Sequence, residues 1–217
     1  MKKIAVLLTG CGHRDGSEIT EVVSTLISLS EFGAHYQCFA PDLTIQSINH
    51  LTGQPDGNQR NAIAEAARIA RGKVKPLTEL NPSDFDGLAI PGGYGAALHF
   101  SDFASRGEEA KPLPIIKKII EEFHKSSKPI AMICIAPYLA ALVLGAHHPT
   151  VTLGEPGAAV TRVEKLGAHH EVCAAKDYVT DRENKIISSP AYMYDDSSPF
   201  DVYSGIRKAV RELVEMA

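Results

Sequence analysis

The sequence predicts a doubly wound α/β fold, with a mostly parallel sheet sandwiched by helices. Three observations carry that reading. Almost wholly apolar runs such as Ile4-Ala5-Val6-Leu7-Leu8 and Pro129-Ile130-Ala131-Met132-Ile133 recur along the chain. Helical patterns separate them, and strands that are apolar on both faces belong to a parallel sheet covered on both sides. The chain's 217 residues, 44% hydrophobic and 22% charged, suffice for one large core and have ordinary globular composition. No linker, repeat or composition shift divides them, so residues 1–217 read as one domain.

The elements follow in order. Residues 4–8 form a buried strand that meets Gly10-Cys11-Gly12. In residues 18–32, Ile19, Val22, Val23, Leu26 and Leu29 recur at helical spacing, and Gly33 ends the helix. Residues 36–40 are a second strand before Pro41, and the Ala-rich residues 61–70 a second helix closing near Gly72. A strand at 87–90, a helix at 113–124, a strand at 129–133 and a helix at 137–144 continue the alternation. Residues 150–153 then read as a short strand and 160–166 as a helix. Residues 178–180 and 185–188 form a hairpin turning at 181–184, and an amphipathic helix spans 200–216.

A net charge of −4 and a pI near 6.1 argue against general affinity for nucleic acid or anionic membrane, since both need clustered Lys and Arg. A small soluble ligand is the expected partner. No apolar stretch reaches 18 residues, and the run after Met1-Lys2-Lys3 is too short for a signal peptide, so the expected compartment is the cytoplasm. Cys11, Cys38, Cys134 and Cys173 are dispersed without a CxxC pair, as suits reduced thiols.

Ligands of an open parallel sheet bind beyond the carboxyl ends of its strands, which directs attention to three loops. The first is residues 9–18, the second Pro91-Gly92-Gly93-Tyr94-Gly95, and the third begins at Cys134. Cys134 falls between a strand and a helix with Pro137 expected at N1, the arrangement of a nucleophile elbow; there a helix N-terminus favours thiolate. The alternative is a buried core cysteine. Gly92 and Gly93 let backbone N–H groups approach a ligand and, with the N–H of Ile135, form an oxyanion hole; an ordinary glycine turn is the competing reading. Glu18 opens the first long helix at the edge of its apolar stripe, where burial would suit it to proton transfer. Equally, Asp15 as N-cap with Glu18 at N3 makes a capping pair. Gly10-Cys11-Gly12 does not extend to GxGxxG, because the third glycine position holds Asp15. His147-His148 and His169-His170 read as solvated loop residues, and no metal site is expected.

Taken together, these segments resemble the class I glutamine amidotransferase-like superfamily, which includes the PfpI proteases. Within it, the chain resembles the ElbB glyoxalases, also called isoprenoid biosynthesis proteins with amidotransferase-like domain. The resemblance is carried by residues 10–19, Cys38-Phe39-Ala40-Pro41-Asp42, Ile48-Asn49-His50-Leu51-Thr52-Gly53, Pro91 to Ala97, Phe103-Ala104-Ser105, Cys134-Ile135-Ala136-Pro137 and Pro190-Ala191-Tyr192-Met193. It implies a flavodoxin-like sheet, Cys134 as nucleophile, Glu18 as the acid contacting it, and Gly93 with Ile135 as oxyanion donors. It also implies a homodimer, a dicarbonyl substrate and no cofactor. Many relatives place a histidine directly after the cysteine or after a later strand; here those positions are Ile135 and Gly154. A Cys-His-acid triad therefore lacks its obvious base, which weakens amidase and protease readings and favours dicarbonyl isomerisation, with a non-catalytic or redox-sensing regulatory protein, or a weak amidase or deglycase, as the alternatives.

Overall fold

The computed structural model describes residues 1–107 and 109–217. The first apolar run forms β1 (Lys3–Leu7), whose alternation sends Ile4 and Val6 to one core and Ala5 and Leu7 to another. The chain continues through α1 (Ile19–Glu31), β2 (His35–Ala40), β3 (Thr44–Asn49), β4 (Gln54–Asn61), α2 (Ala62–Ile69), β5 (Val74–Pro76) and β6 (Gly87–Ile90). Then come α3 (Tyr94–His99), α4 (Phe103–Arg106), α5 (Pro114–Lys125), β7 (Ile130–Ile133), α6 (Tyr138–Leu144), β8 (Thr150–Val151), α7 (Ala158–Lys165), β9 (His169–His170), β10 (Val179–Asp181), β11 (Ile186–Ser189) and α8 (Pro199–Met216).

The main sheet runs β10-β11-β7-β6-β1-β2-β5 and is parallel except for the β10–β11 hairpin. From β1 the chain winds outward to β2 and β5, then crosses to β6 on the other side of β1 and continues to β7 and β11. The reversal between β1 and β6 opens a crevice at their carboxyl ends. One face is covered by α1, α2 and α8 through Val22, Leu29, Ala66, Val202, Ile206 and Leu213. On the other, Ile116, Ile120 and Phe123 of α5 and Tyr138 and Leu139 of α6 pack beside Leu88 and Met132. Class I glutamine amidotransferase-like and flavodoxin-like proteins share this mostly parallel, helix-flanked architecture.

Four local expectations are corrected. The strand at 150–153 shortens to β8, which pairs only with β9 outside the main sheet. Asp15 caps nothing: its Oδ2 accepts the Ile48 N–H at 2.8 Å and ties the first loop to the β3–β4 hairpin. No hydropathy pattern marks that hairpin, because β4 contains no aliphatic or aromatic side chain other than Pro55 and is exposed over nearly all its length. Finally, Ile19 and Val23, expected on the core face of α1, are exposed. Among the described residues no helix is long and apolar enough to cross a membrane.

Candidate active site

β7 ends at Ile133, and the next residue, Cys134, has φ +60° before the chain enters α6. For a residue with a Cβ this left-handed conformation costs on the order of 1–3 kcal/mol and persists only where its surroundings enforce it. Here the Cys134 N–H donates to the Ser189 carbonyl of β11 at 2.8 Å, which holds the turn to the sheet. The expected elbow is present. Pro137 stands at the N-cap of α6, one position earlier than N1.

The loop after β6 meets the loop after β1. Gly92 O accepts from the Glu18 N–H at 3.0 Å, the Tyr94 N–H donates to His13 O at 2.7 Å, and the Gly95 N–H donates to Gly16 O at 3.0 Å. Gly93, at φ +95°, lies so close to this neighbour that a Cβ would come within 2.4 Å of Gly16 O and 2.5 Å of Glu18 N. This packing aims the Gly93 N–H at the Cys134 sulfur, where it is joined by the N–H of Ile135. Gly92, grouped with them from sequence, points elsewhere, and its N–H donates to Glu21 Oε2 at 2.9 Å.

Glu21 is the main correction. The carboxyl that shares a hydrogen bond with the Cys134 thiol belongs to Glu21, one turn beyond Glu18. Glu21 is fully buried, with its carboxyl also accepting the Tyr192 N–H at 3.4 Å. Glu18 is itself the N-cap of α1, its Oε2 accepting the Glu21 N–H at 2.7 Å. The capping alternative was thus right about the kind of role and wrong about the register, since Glu18 caps and Glu21 occupies N3. Glu18 still lines the cavity over the cysteine.

Burial sets the proton chemistry. Desolvation, with the Glu18 charge adding to it, pushes Glu21 up to about 8. Desolvation and the neighbouring Glu21 carboxyl push Cys134 well above the usual thiol value, while the Gly93 and Ile135 N–H groups pull the other way. The helix N-terminus therefore does not prevail, and the expected resting thiolate becomes a thiol beside a carboxylic acid. Two buried groups in hydrogen-bonding contact resist losing both protons, so they titrate as a pair.

A cavity of 640 Å³ opens above Cys134. His13, Tyr94, Phe103, Ile135, Arg162 and Asp195 are among the residues that line it. His13 is the histidine in this wall, and burial with the neighbouring His50 holds it below the ordinary imidazole value. No sequence signal marked Arg162, an exposed position in a polar helix. The absence of a histidine at Gly154 has a steric reason: at φ +85°, a Cβ there would lie 2.8 Å from the Tyr194 ring. Tyr194 is fixed in turn by its hydroxyl, which donates to Cys173 O at 2.9 Å. The paired histidines lie elsewhere, His148 facing His169 at 5.9 Å between ring centroids, and among the described residues no three metal-type side chains converge.

No protein-family model matches the chain. It is 38% identical to the human glutamine amidotransferase-like class 1 domain-containing protein 3, mitochondrial, over 99% of this chain and 83% of the relative. This chain belongs to the class I glutamine amidotransferase-like family. Among family structures, the isoprenoid biosynthesis protein with amidotransferase-like domain from Ehrlichia chaffeensis superimposes with a TM-score of 0.93. That pair shares 36% identity and covers 100% of this chain and 99% of the other. A ThiJ/PfpI domain protein from Brachyspira murdochii shares the fold alone, with a TM-score of 0.59 and 13% identity over 99% of this chain and 97% of its own. Within the amidotransferase-like family, this chain presents an elbow cysteine backed by a buried acid, with Tyr194 in the space a histidine at 154 would need.

Proposed function

We propose that the protein is a cofactor-independent glyoxalase, converting an α-oxoaldehyde and water into a 2-hydroxy acid. The observation that carries this reading is the pairing of Cys134 with the buried Glu21 carboxyl, with no histidine at residue 135 or 154. Expelling an amine needs a general acid at the leaving group, whereas isomerising a dicarbonyl needs one group that gives and takes a proton beside the sulfur.

The steps follow from the residues present. Loss of one proton from the pair leaves a single proton shared across the Cys134–Glu21 hydrogen bond, and its transfer from the sulfur to the Glu21 carboxylate makes Cys134 the thiolate and Glu21 the acid. The sulfur adds to the aldehyde carbon, and Glu21 protonates the alkoxide to complete the hemithioacetal. The Glu21 carboxylate then removes the hydrogen on that carbon, and the enediol oxygens lie against the Gly93 and Ile135 N–H groups. The hydroxyl proton passes from the first oxygen to the second, and Glu21 returns the abstracted proton to the neighbouring carbon, which leaves a 2-hydroxy thioester and a Glu21 carboxylate. Water cleaves it, restoring the thiol and releasing the hydroxy acid; His13, a neutral imidazole that lines the same cavity, serves as the base for the water's proton in this reading.

The homodimer implied by the resemblance belongs to the same reading. It is supported by the exposed row Ile19, Val23 and Ile27 on α1.

The deciding experiment follows glyoxal and methylglyoxal consumption together with hydroxy acid formation, beside glutamine as an amidase control. Stoichiometric glycolate or lactate, abolished in Cys134→Ala, is the expected result. Ammonia release from glutamine, or peroxide-reactive Cys134 without dicarbonyl turnover, would replace this reading with the amidase or the regulatory one.

A further inference from the structure

Glyoxal has four heavy atoms, yet the cavity of 640 Å³ lies in the range that encloses drug-sized ligands, about 300–1,000 Å³. Its walls differ in chemistry. Toward α1, the cavity presents Glu18, bound by first-turn N–H groups of the helix it caps; Asp195, whose charge acts on His13, also lines it. Toward α4 and α7 it is apolar, formed by Phe103, Ala104, Ala158 and Ala159, with Arg162 completing that wall.

Phe103 is a fixed surface. It is buried and stacks on Tyr138 at 4.1 Å between centroids, and the Tyr138 hydroxyl is anchored to Ser101 and to Ala96 O. The Arg162 guanidinium carbon lies 5.9 Å from the Phe103 ring centroid, so the cation rests beside the apolar wall. Among the described residues no carboxylate forms an ion pair with Arg162, although most of the other arginines have one. A planar, permanently charged fork at the end of an apolar shelf is suited to a carboxylate. A phosphate dianion would bring two charges into a cavity that already holds Glu18 and Asp195, whereas a carboxylate is matched one for one.

We infer that the substrate is an α-oxoaldehyde with a short apolar body ending in a carboxylate, the body lying on Phe103 and the carboxylate received by Arg162. This rests on the glyoxalase reading of the same cavity, and Arg162 acts in it as a specificity residue, remote from the reacting carbons.

Two measurements separate the two ideas. In the first, kcat/KM is compared for 4,5-dioxopentanoate and its methyl ester. The acid is favoured by about tenfold or more in the native protein, as a charge-assisted hydrogen-bonded contact predicts; the ratio falls to about one in Arg162→Met and is partly kept in Arg162→Lys. In the second, which needs no turnover, calorimetry on Cys134→Ala compares 2-hydroxyglutarate, the expected product, with 2-hydroxypentanoate. The dicarboxylate binds about tenfold more tightly or better, and adding Arg162→Met removes that difference. Dicarbonyl turnover with equal acid and ester kinetics, unmoved by Arg162→Met, would overturn the inference and leave the glyoxalase standing. A binding difference that depends on Arg162, without turnover of any dicarbonyl, would uphold the carboxylate site and sink the glyoxalase.

Discussion

Two helices of nearly equal length treat the core in opposite ways. In α5 the apolar residues Ile116, Ile119, Ile120 and Phe123 are buried, and Lys117, Lys118 and Glu122 face outward, as amphipathic spacing requires. In α1 the buried set is Glu21, Val22, Ser24, Thr25, Ser28 and Leu29, while Ile19, Val23 and Ile27 are exposed at 47%, 39% and 50%. The inward hydroxyls satisfy themselves locally, with the Thr25 hydroxyl donating to Glu21 O at 2.8 Å and the Ser28 hydroxyl to Ser24 O at 2.7 Å. α5 is built for stability. In α1 a carboxyl is placed under the nucleophile, so the helix is rotated from the angle its hydrophobic residues alone would choose.

The largest expected effect tests the functional side of that contrast. Glu21→Gln keeps shape and burial but removes the transferable proton, so dicarbonyl turnover should fall by about 10²–10⁴ with the fold intact. Glu18→Gln, at the cap, should lower turnover far less. Its Ala variant should cost about 0.5–2 kcal/mol of stability, read from urea midpoints. Equal loss of activity from Glu18→Gln and Glu21→Gln would erase the distinction between cap and proton carrier.

The stability side is tested in α5. Ile120 is fully buried between sheet and helix, and Ile120→Ala should destabilise the protein by about 2–5 kcal/mol in denaturant unfolding. Activity per folded molecule should change little, since Ile120 is absent from the cavity wall.

How far the sequence disclosed all this depends on what each residue answers to. Continuous apolar runs bounded by glycine or proline identified β1, β6 and β7, because full burial on both faces leaves no other composition. The Cys134 elbow was legible for the same reason: a cysteine following such a run, with proline close behind, has few other backbone paths. Glu21 was not legible, because helical periodicity assumes that apolar residues mark the inside, and α1 breaks that assumption where the site needs a carboxyl. β4 escaped because the hairpin's order comes from hydrogen bonds such as Ser47 Oγ donating to Asp56 and Ile48 N–H donating to Asp15, which no hydropathy pattern records. Arg162 escaped because its meaning lies in the Phe103 ring beside it, on a segment distant in sequence.

The pH dependence sharpens the comparison further. Glu21 ionises near 4.5 when exposed and near 8 in the fold, so between these values the folded protein holds a proton the unfolded chain has released. Stability therefore falls as pH rises through that window, with a slope of at most about 1.4 kcal/mol per pH unit, and this contribution levels off above it. Glu21→Gln should flatten the profile, whereas Ile120→Ala should shift it bodily without changing its shape. Over the same upper range kcat/KM should rise toward pH 8, as the Cys134–Glu21 pair passes from two protons to the single proton the chemistry uses. A rate that falls across that range would contradict the proton assignment.

The smallest effect on folding belongs to the outer row of α1. Val23 lies between Ile19 and Ile27 at four-residue spacing, so the three form one exposed apolar ridge along the helix. Nothing in the described part of the chain covers it, and a ridge of this kind can pair with its own copy across a two-fold axis, where each subunit presents the same patch. Val23→Asp puts a charge at the centre of the ridge. In a monomer the aspartate would remain in water, and unfolding measured on the separated chain should change by no more than about 0.5 kcal/mol, the scale of ordinary surface substitutions. In a dimer, two copies of the charge would face each other in a dry contact, so the mass by analytical ultracentrifugation should fall from two chains to one. Lys117→Asp on the outer face of α5 should leave the mass unchanged. A native protein that sediments as one chain, or a Val23→Asp variant that stays paired, would mean that the exposed ridge of α1 has no role in assembly.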